Sequence, residues 1–296
     1  MSRRAGHSTI MKHLIWIAAF LLLTFAGDRL GGWVCGELLE GSEFRYSRLY
    51  RGGAEADLLL VGNSRGLMFY QPYIEEKTQA NTLNLSYNGL PMNLARVLVE
   101  DYLVNNPTPR KMILDVTMCD RANQQMVNQF KQYLPYSDSL GALIRRTDDR
   151  TYWGAQVSHL FRYNSELFLR ALYYRGRSDE DWLLDRVISA PMLAGVGETP
   201  DYTIEPMFLE DLKATVGLAK RRGIEVELVI NPYLPAFAQR ITNLPAFKQQ
   251  IEARTGLRVK DYSQAVTMIE GFGDYQHLNK SGSRVYIDRL LADGVL

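Results

Sequence analysis

The apolar positions of this chain follow two patterns. Near the amino terminus, residues 14–27 form an uncharged run, Leu-Ile-Trp-Ile-Ala-Ala-Phe-Leu-Leu-Leu-Thr-Phe-Ala-Gly, with no polar face between Trp16 and Phe25. Beyond residue 56, short continuous apolar runs alternate with longer segments whose apolar residues recur at helical spacing, the pattern of a mostly parallel sheet with helices on both faces. Residues 57–61, 82–86, 111–116, 224–230 and 257–262 read as strands. Helices are expected over about 91–104, 206–222 and 236–254, with a last one starting near Asn279 or Ser281. Leu94, Val97, Leu98 and Tyr102 share one face of the first of these, and Pro91 suits its first turn.

The amino-terminal run is flanked by Arg3, Arg4 and Lys12 and closed by Asp28 and Arg29. A full crossing takes about 20 apolar residues, so the run suits a signal-peptide core as well as a span. No clean small-x-small cleavage site follows, Thr24-Phe25-Ala26 being a weak one, and Cys35 lacks the small residues that precede a lipoprotein cysteine. With Ile10, Met11 and residues 30–34 the segment can reach across a bilayer with its ends snorkelling. It reads as an uncleaved single-pass anchor. Positive charge on the amino-terminal side places that side in the cytoplasm and everything after about residue 35 outside the inner membrane, in the periplasm. The chain thus divides into a flank and anchor (1–35), a solvated juxtamembrane connector (36–56) with Arg45, Tyr46, Arg48, Tyr50 and Arg51 interleaved, and one α/β domain (57–296).

An insertion over about 121–201 breaks the alternation. It is rich in aromatics, among them Phe130, Tyr133, Trp153, Phe161, Tyr163, Tyr174 and Trp182, and reads as mostly helical with the charged residues 145–150 on its solvated face. These rings either form the insertion's own core or line a cleft for sugar rings. At 296 residues and 46% hydrophobic the chain can bury a large core, and a net charge of +1 with scattered basic residues gives no case for nucleic acid. Cys35 and Cys119 are the two cysteines, too few for a disulfide framework or thiolate metal site, and no metal-ligand cluster or cofactor motif is present.

In a parallel sheet every strand-to-helix loop lies at one edge, so Ser64, Asn88-Gly89, residues 115–117, Asn231 and the 274–277 loop should converge there. Gly62 should let the chain turn sharply at the end of the first strand and expose the Ser64 hydroxyl. A serine needs a base, and the base needs a third group to hold its tautomer. With His7 and His13 on the cytoplasmic flank, the candidates are His159 and His277, and Asp274 lies three residues before His277. Cys119 with His159 is an alternative nucleophile and base, but it lacks the glycine turn found at Ser64. Arg65 either binds a substrate carboxylate or phosphate or pairs with Asp115, the pair being favoured.

Gly62-Asn63-Ser64, Asn88-Gly89 and Asp274-x-x-His277 resemble the blocks of the SGNH (GDSL-like) hydrolase superfamily. The chain is similar in particular to its membrane-anchored branch, which includes the DltD-type proteins of teichoic-acid D-alanylation and the O-acetylation proteins of exopolysaccharide systems. The resemblance implies a three-layer flavodoxin-like fold, Ser64 as nucleophile, His277 as base, Asp274 as orienting acid, and an oxyanion hole from the backbone N–H groups of Ser64 and Gly89. Two positions depart from it. Asn63 stands where the family has aspartate, and the third block, residues 115–120, lacks the asparagine that lends a side chain to the oxyanion hole. An ionised Asp115 would repel an oxyanion, which leaves Asn88 or Asn231 as the candidate donor.

The resulting expectation is a serine esterase or O-acyltransferase that moves an acyl group, most simply acetyl, onto or off an envelope polysaccharide or other acylated glycan without a cofactor, alongside a polytopic membrane acyltransferase. The alternatives are a non-catalytic SGNH-like module that binds glycan or that acyltransferase, and a lipid-cleaving esterase near the bilayer.

Overall fold

The structure, a computed structural model, describes residues 3–183, 185–195 and 201–296, so part of the insertion (184 and 196–200) lies outside the described residues. Five strands form one parallel sheet in the order β2-β1-β3-β4-β5: β1 Leu58–Val61, β2 Thr82–Asn84, β3 Lys111–Asp115, β4 Glu225–Ile230 and β5 Val259–Asp261. Leu58 aligns with Thr82 on one side and Lys111 on the other, so β1 is an interior strand, and all four of its residues are buried. Its unbroken apolar run reflects cover on both faces.

The strand order reverses direction after β1. Right-handed crossovers therefore put the helix between β1 and β2 on one face and those joining β2 to β3, β3 to β4 and β4 to β5 on the other. Numbered along the chain, α1 spans Arg3–Glu40, α2 Arg45–Tyr50, α3 Gln71–Thr78 and α4 Met92–Asn105. The insertion carries α5 Gln124–Gln129, α6 Asp138–Thr147, α7 Asp149–Val157, α8 His159–Arg162, α9 Glu166–Tyr173 and α10 Ala190–Ala194. After it come α11 Pro206–Arg221, α12 Pro235–Ala238, α13 Leu244–Thr255 and α14 Lys280–Ala292. Helix α11 packs between α4 and α13, while α3 and α14 meet on the opposite face, giving three layers.

Three departures from the sequence pattern have physical causes. The helix expected over 236–254 is two helices, because Asp201 takes the backbone N–H groups of Thr242 and Asn243 and Pro245 starts a new first turn. Helix α3 gave no periodic signal because only Gln71 and Ile74 of its eight residues are buried. The connector over 36–56 is not solvated: α1 continues to Glu40, and Phe44, Tyr46 and Leu49 are fully buried in the main core. There the Arg45 guanidinium pairs with Asp179 at 3.0 Å, lies 4.7 Å from the centre of the Trp182 ring, and donates to Ser86 O, two residues past β2. Most of the insertion's rings do the same structural work, with Phe130 and Tyr133 fully buried and Phe168 nearly so. The charges at Arg145, Arg146, Asp149 and Arg150 are exposed, as their spacing implied.

Candidate active site

Chain reversal between β1 and β3 opens a crevice at the carboxyl ends of the strands, where open α/β sheets hold ligands. Ser64 begins a short 3-10 turn (Ser64–Met68) directly after β1. Asn63 caps that turn by accepting from Arg65 N at 2.9 Å and donates from Nδ2 to Thr117 Oγ1 at 3.1 Å. Gly62 contributes through closeness rather than through a positive φ: a Cβ there would lie 2.8 Å from Gly66 Cα and 3.1 Å from Ser86 Oγ. The sharp turn is packed against its neighbours.

From the far end of the chain, Asp274 and His277 sit on a loop before α14, itself capped by Asn279. The Asp274 carboxylate accepts from the ring Nδ1 of His277 at 2.9 and 3.0 Å and from the backbone N–H groups of Gln276 and His277 at 2.8 and 3.0 Å. Burial, the largest single influence, pushes the carboxyl up, but the bonds from the ring and the backbone together hold it below the usual carboxylate range. With Nδ1–H donating to Asp274, Nε2 is the acceptor. It lies 2.8 Å from Ser64 Oγ, which donates to it across 213 positions of sequence. Arg186 reaches to 3.9 Å of Asp274 from an exposed position on the rim.

The adjoining cavity encloses about 380 Å³ and is lined by Asn63, Ser64, Gly89, Thr117, Asp120, Asn123, Tyr233, Phe237 and Gln276 among others. Gly89 takes a positive φ of 69°, which a residue with a side chain adopts only under strain. Among the described residues neither the Ser64 nor the Gly89 backbone N–H has a hydrogen-bond acceptor, so both can serve an incoming oxygen. Asn88 beside it is exposed and does not line the cavity.

Asn231 is placed differently from its expected role in substrate binding or as an oxyanion donor. It is fully buried beneath the cavity, with Nδ2 committed to Asp115 Oδ2 and Arg65 O and Oδ1 accepting from Tyr286. Asp115 also points down, accepting from Thr117 N and Oγ1 at 3.0 and 2.8 Å, and burial raises its carboxyl. Arg65 forms no ion pair with it. Its guanidinium lies 3.5 Å from the centre of the Tyr233 ring, donates to Asn231 O, and is only 3% exposed, so it is floor beneath the cavity rather than a free arm. Cys119 is buried, its thiol pushed far up by burial, and His159 lies against α1, so the alternative nucleophile and base do not meet.

One residue at the site carried no sequence signal. Asn123 caps α5 through Oδ1, donates from Nδ2 to Gly89 O at 2.8 Å and lines the cavity. Tyr202, Tyr233 and Phe237, all outside the aromatic set of the insertion, supply the ring surfaces of the cavity.

No family profile matches the sequence, and no curated protein matches it. Among solved structures, the chain is similar to a proposed acylhydrolase from Bacteroides fragilis (11% identity, TM-score 0.41, 83% of this chain and 88% of that one). It is also similar to a proposed platelet activating factor from Streptococcus pneumonia (12%, 0.43, 95% and 98%). A third is a GDSL-like lipase from Bacteroides thetaiotaomicron (10%, 0.38, 82% and 89%).

Proposed function

We propose that this protein is a serine esterase or O-acyltransferase of the SGNH type, held at the outer face of the cytoplasmic membrane by α1 and acting on O-acyl groups of an envelope polysaccharide. The observation that carries the reading is the continuous hydrogen-bonded line from Ser64 Oγ through His277 to Asp274. Ser64 Oγ attacks the ester carbonyl as its proton passes to His277 Nε2, and Asp274 stabilises the imidazolium. The oxyanion is met by the N–H groups of Ser64 and Gly89 and by the Asn123 carboxamide, which takes the place of the absent third-block asparagine. The proton on His277 then goes to the departing alcohol, and a sugar hydroxyl or water reverses the sequence to release the acyl group.

The lining favours a hydroxyl-rich partner. Asn63, Thr117, Asp120, Asn123 and Gln276 bring polar groups to the cavity beside Tyr233 and Phe237, a lining that suits a sugar better than a long acyl chain. Placement in a membrane rests on α1, which is long and apolar enough to cross one, with Leu14, Trp16, Phe20, Leu22 and Leu23 61–74% exposed. A polytopic acyltransferase would deliver the acyl group from the other side. The test is acetyl release from an O-acetylated glycan and from nitrophenyl acetate: Ser64→Ala and His277→Ala should each lower kcat by about 10³-fold or more, the double variant falling no further. Turnover in both single variants equal to that of the natural chain would leave the non-catalytic glycan-binding module as the reading.

A further inference from the structure

The helix α1 poses a problem of length. From Leu14 to the first charge at Asp28 its apolar run covers about 21 Å, some 9 Å short of the roughly 30 Å hydrocarbon layer. Yet its exposed apolar surface does not stop there: Leu30, Trp33 and Val34 are 63%, 62% and 42% exposed. Counted to Val34 the length is about 31 Å, a match to the layer. The match requires the polar groups of Asp28 and Arg29 to be met by protein partners.

The insertion supplies those partners, leaving the Asp28 side chain 15% and the Arg29 side chain 31% exposed. Asp28 accepts from Ser158 Oγ at 2.7 Å, His159 N at 2.8 Å and Leu160 N at 3.0 Å, so its carboxylate caps α8. Arg29 donates to Val157 O at 2.9 Å and lies 4.6 Å from the centre of the Phe25 ring. Gly31 and Gly32 make room for this contact, since a Cβ at Gly31 would lie 2.8 Å from Leu160 Cδ2 and one at Gly32 would collide with His159. The turn between α7 and α8 is thereby fixed at the level of residues 28–32. At that level it turns apolar side chains outward: Val157 is 71% exposed, Trp153 49%, Leu160 48% and Phe161 38%. Leu160 rests in part on α1, Arg145 lies 5.4 Å from the Trp153 ring centre and Lys131 5.3 Å from that of Phe161, and the remaining surface of all four is open among the described residues. Trp33 and Trp153 have the amphipathic ring suited to the headgroup boundary.

We infer that the α7–α8 turn is a second membrane element, a wedge that enters the outer leaflet beside α1 through Val157, Leu160 and Phe161. This rests on α1 spanning the bilayer. The wedge and helix together hold the domain in one orientation, so the Ser64 crevice stands at a fixed height and angle above the lipid surface. A single helix would leave the domain free to swing.

The experiment uses the full chain reconstituted in vesicles of phosphatidylcholine and phosphatidylglycerol. Cys35 is replaced by serine, buried Cys119 is left in place, and a polarity-sensitive fluorophore is attached at Val157→Cys, Leu22→Cys or Val104→Cys, the last 78% exposed on α4. Lipids spin-labelled near the top of the acyl chain should quench the Val157 label several-fold more than the Val104 label, and lipids labelled deep in the chain should quench Leu22 most. A Val157 label as unquenched as Val104, with Leu22 deep, overturns the wedge and leaves the anchor standing. A Leu22 label in water removes the anchor and the wedge with it. As a second reading, Gly32→Leu should release the Val157 label to water while Leu22 stays deep; unchanged Val157 quenching would contradict the docking described.

Discussion

Asn231 donates from Nδ2 to Asp115 Oδ2 at 3.1 Å, and this buried bond accounts for an aspartate standing where the resembled pattern has an oxyanion-hole asparagine. With Thr117 on its other oxygen, the carboxylate is directed into the floor and away from the reacting centre. Replacing Asn231 by leucine removes that donor and strands Tyr286 O–H. The expected loss is about 2–4 kcal/mol in chemical denaturation, above the range for one neutral hydrogen bond because a buried carboxylate is left short of a partner.

Asn123 separates a structural from a chemical contribution. Its Oδ1 caps α5 while its Nδ2 faces the cavity beside Gly89. Asn123→Asp keeps the cap and removes the amide donor. Turnover should fall about 10²-fold or more, the range for one oxyanion donor, with a loss of about 1–2 kcal/mol in stability as the bond from Nδ2 to Gly89 O is lost. Unchanged kcat would remove Asn123 from the reaction.

The Arg45–Asp179 pair is buried, with side chains 4% and 1% exposed. Arg45→Met leaves the carboxylate in the core without its countercharge, held only by the backbone N–H of residue 45 and by Trp182 Nε1, and should cost about 3–5 kcal/mol, whereas a double change with Asp179→Leu should recover much of it. Because Arg45 also donates to Ser86 O at 2.9 Å, three residues before Gly89, the single variant should lose turnover as well as stability. Recovery of stability without recovery of turnover in the double variant would show that the bond to Ser86 positions the Gly89 turn.

The pH dependence of stability follows from Asp274, whose carboxyl is held below its ordinary value by His277 and the loop backbone. A depressed folded-state value favours the folded protein above the ordinary carboxylate range and loses that contribution as pH falls through the lowered value. The stability gap between the natural chain and Asp274→Asn should therefore be widest near neutrality and shrink below about pH 4. A gap constant from neutral to strongly acid pH would contradict the hydrogen bonds described.

Much of the sheet was legible because β1, β3 and the second half of β4 (Leu228–Ile230) are buried and so carry short continuous apolar stretches. The meeting of Ser64 with His277 was legible for a related reason: parallel strands put their carboxyl ends on one edge, and the glycine turn and the Asp-x-x-His spacing are local. What was hidden depends on tertiary contacts. Arg45 and Tyr46 look alike in sequence whether they face headgroups or form a buried pair with Asp179 and a bond to Leu85 O. Which way Asn231 points is decided by Tyr286 and Asp115, 55 and 116 positions away. Asn123 reaches the site from an insertion with no fixed spacing to any motif.

The central claim is that Ser64 Oγ is made nucleophilic by His277. Its most direct measurement is intact-mass spectrometry after exposure to a fluorophosphonate. The account predicts one adduct, mapped to Ser64, that is absent in Ser64→Ala and strongly slowed in His277→Ala; no adduct on the natural chain, or one that persists without Ser64, would contradict it.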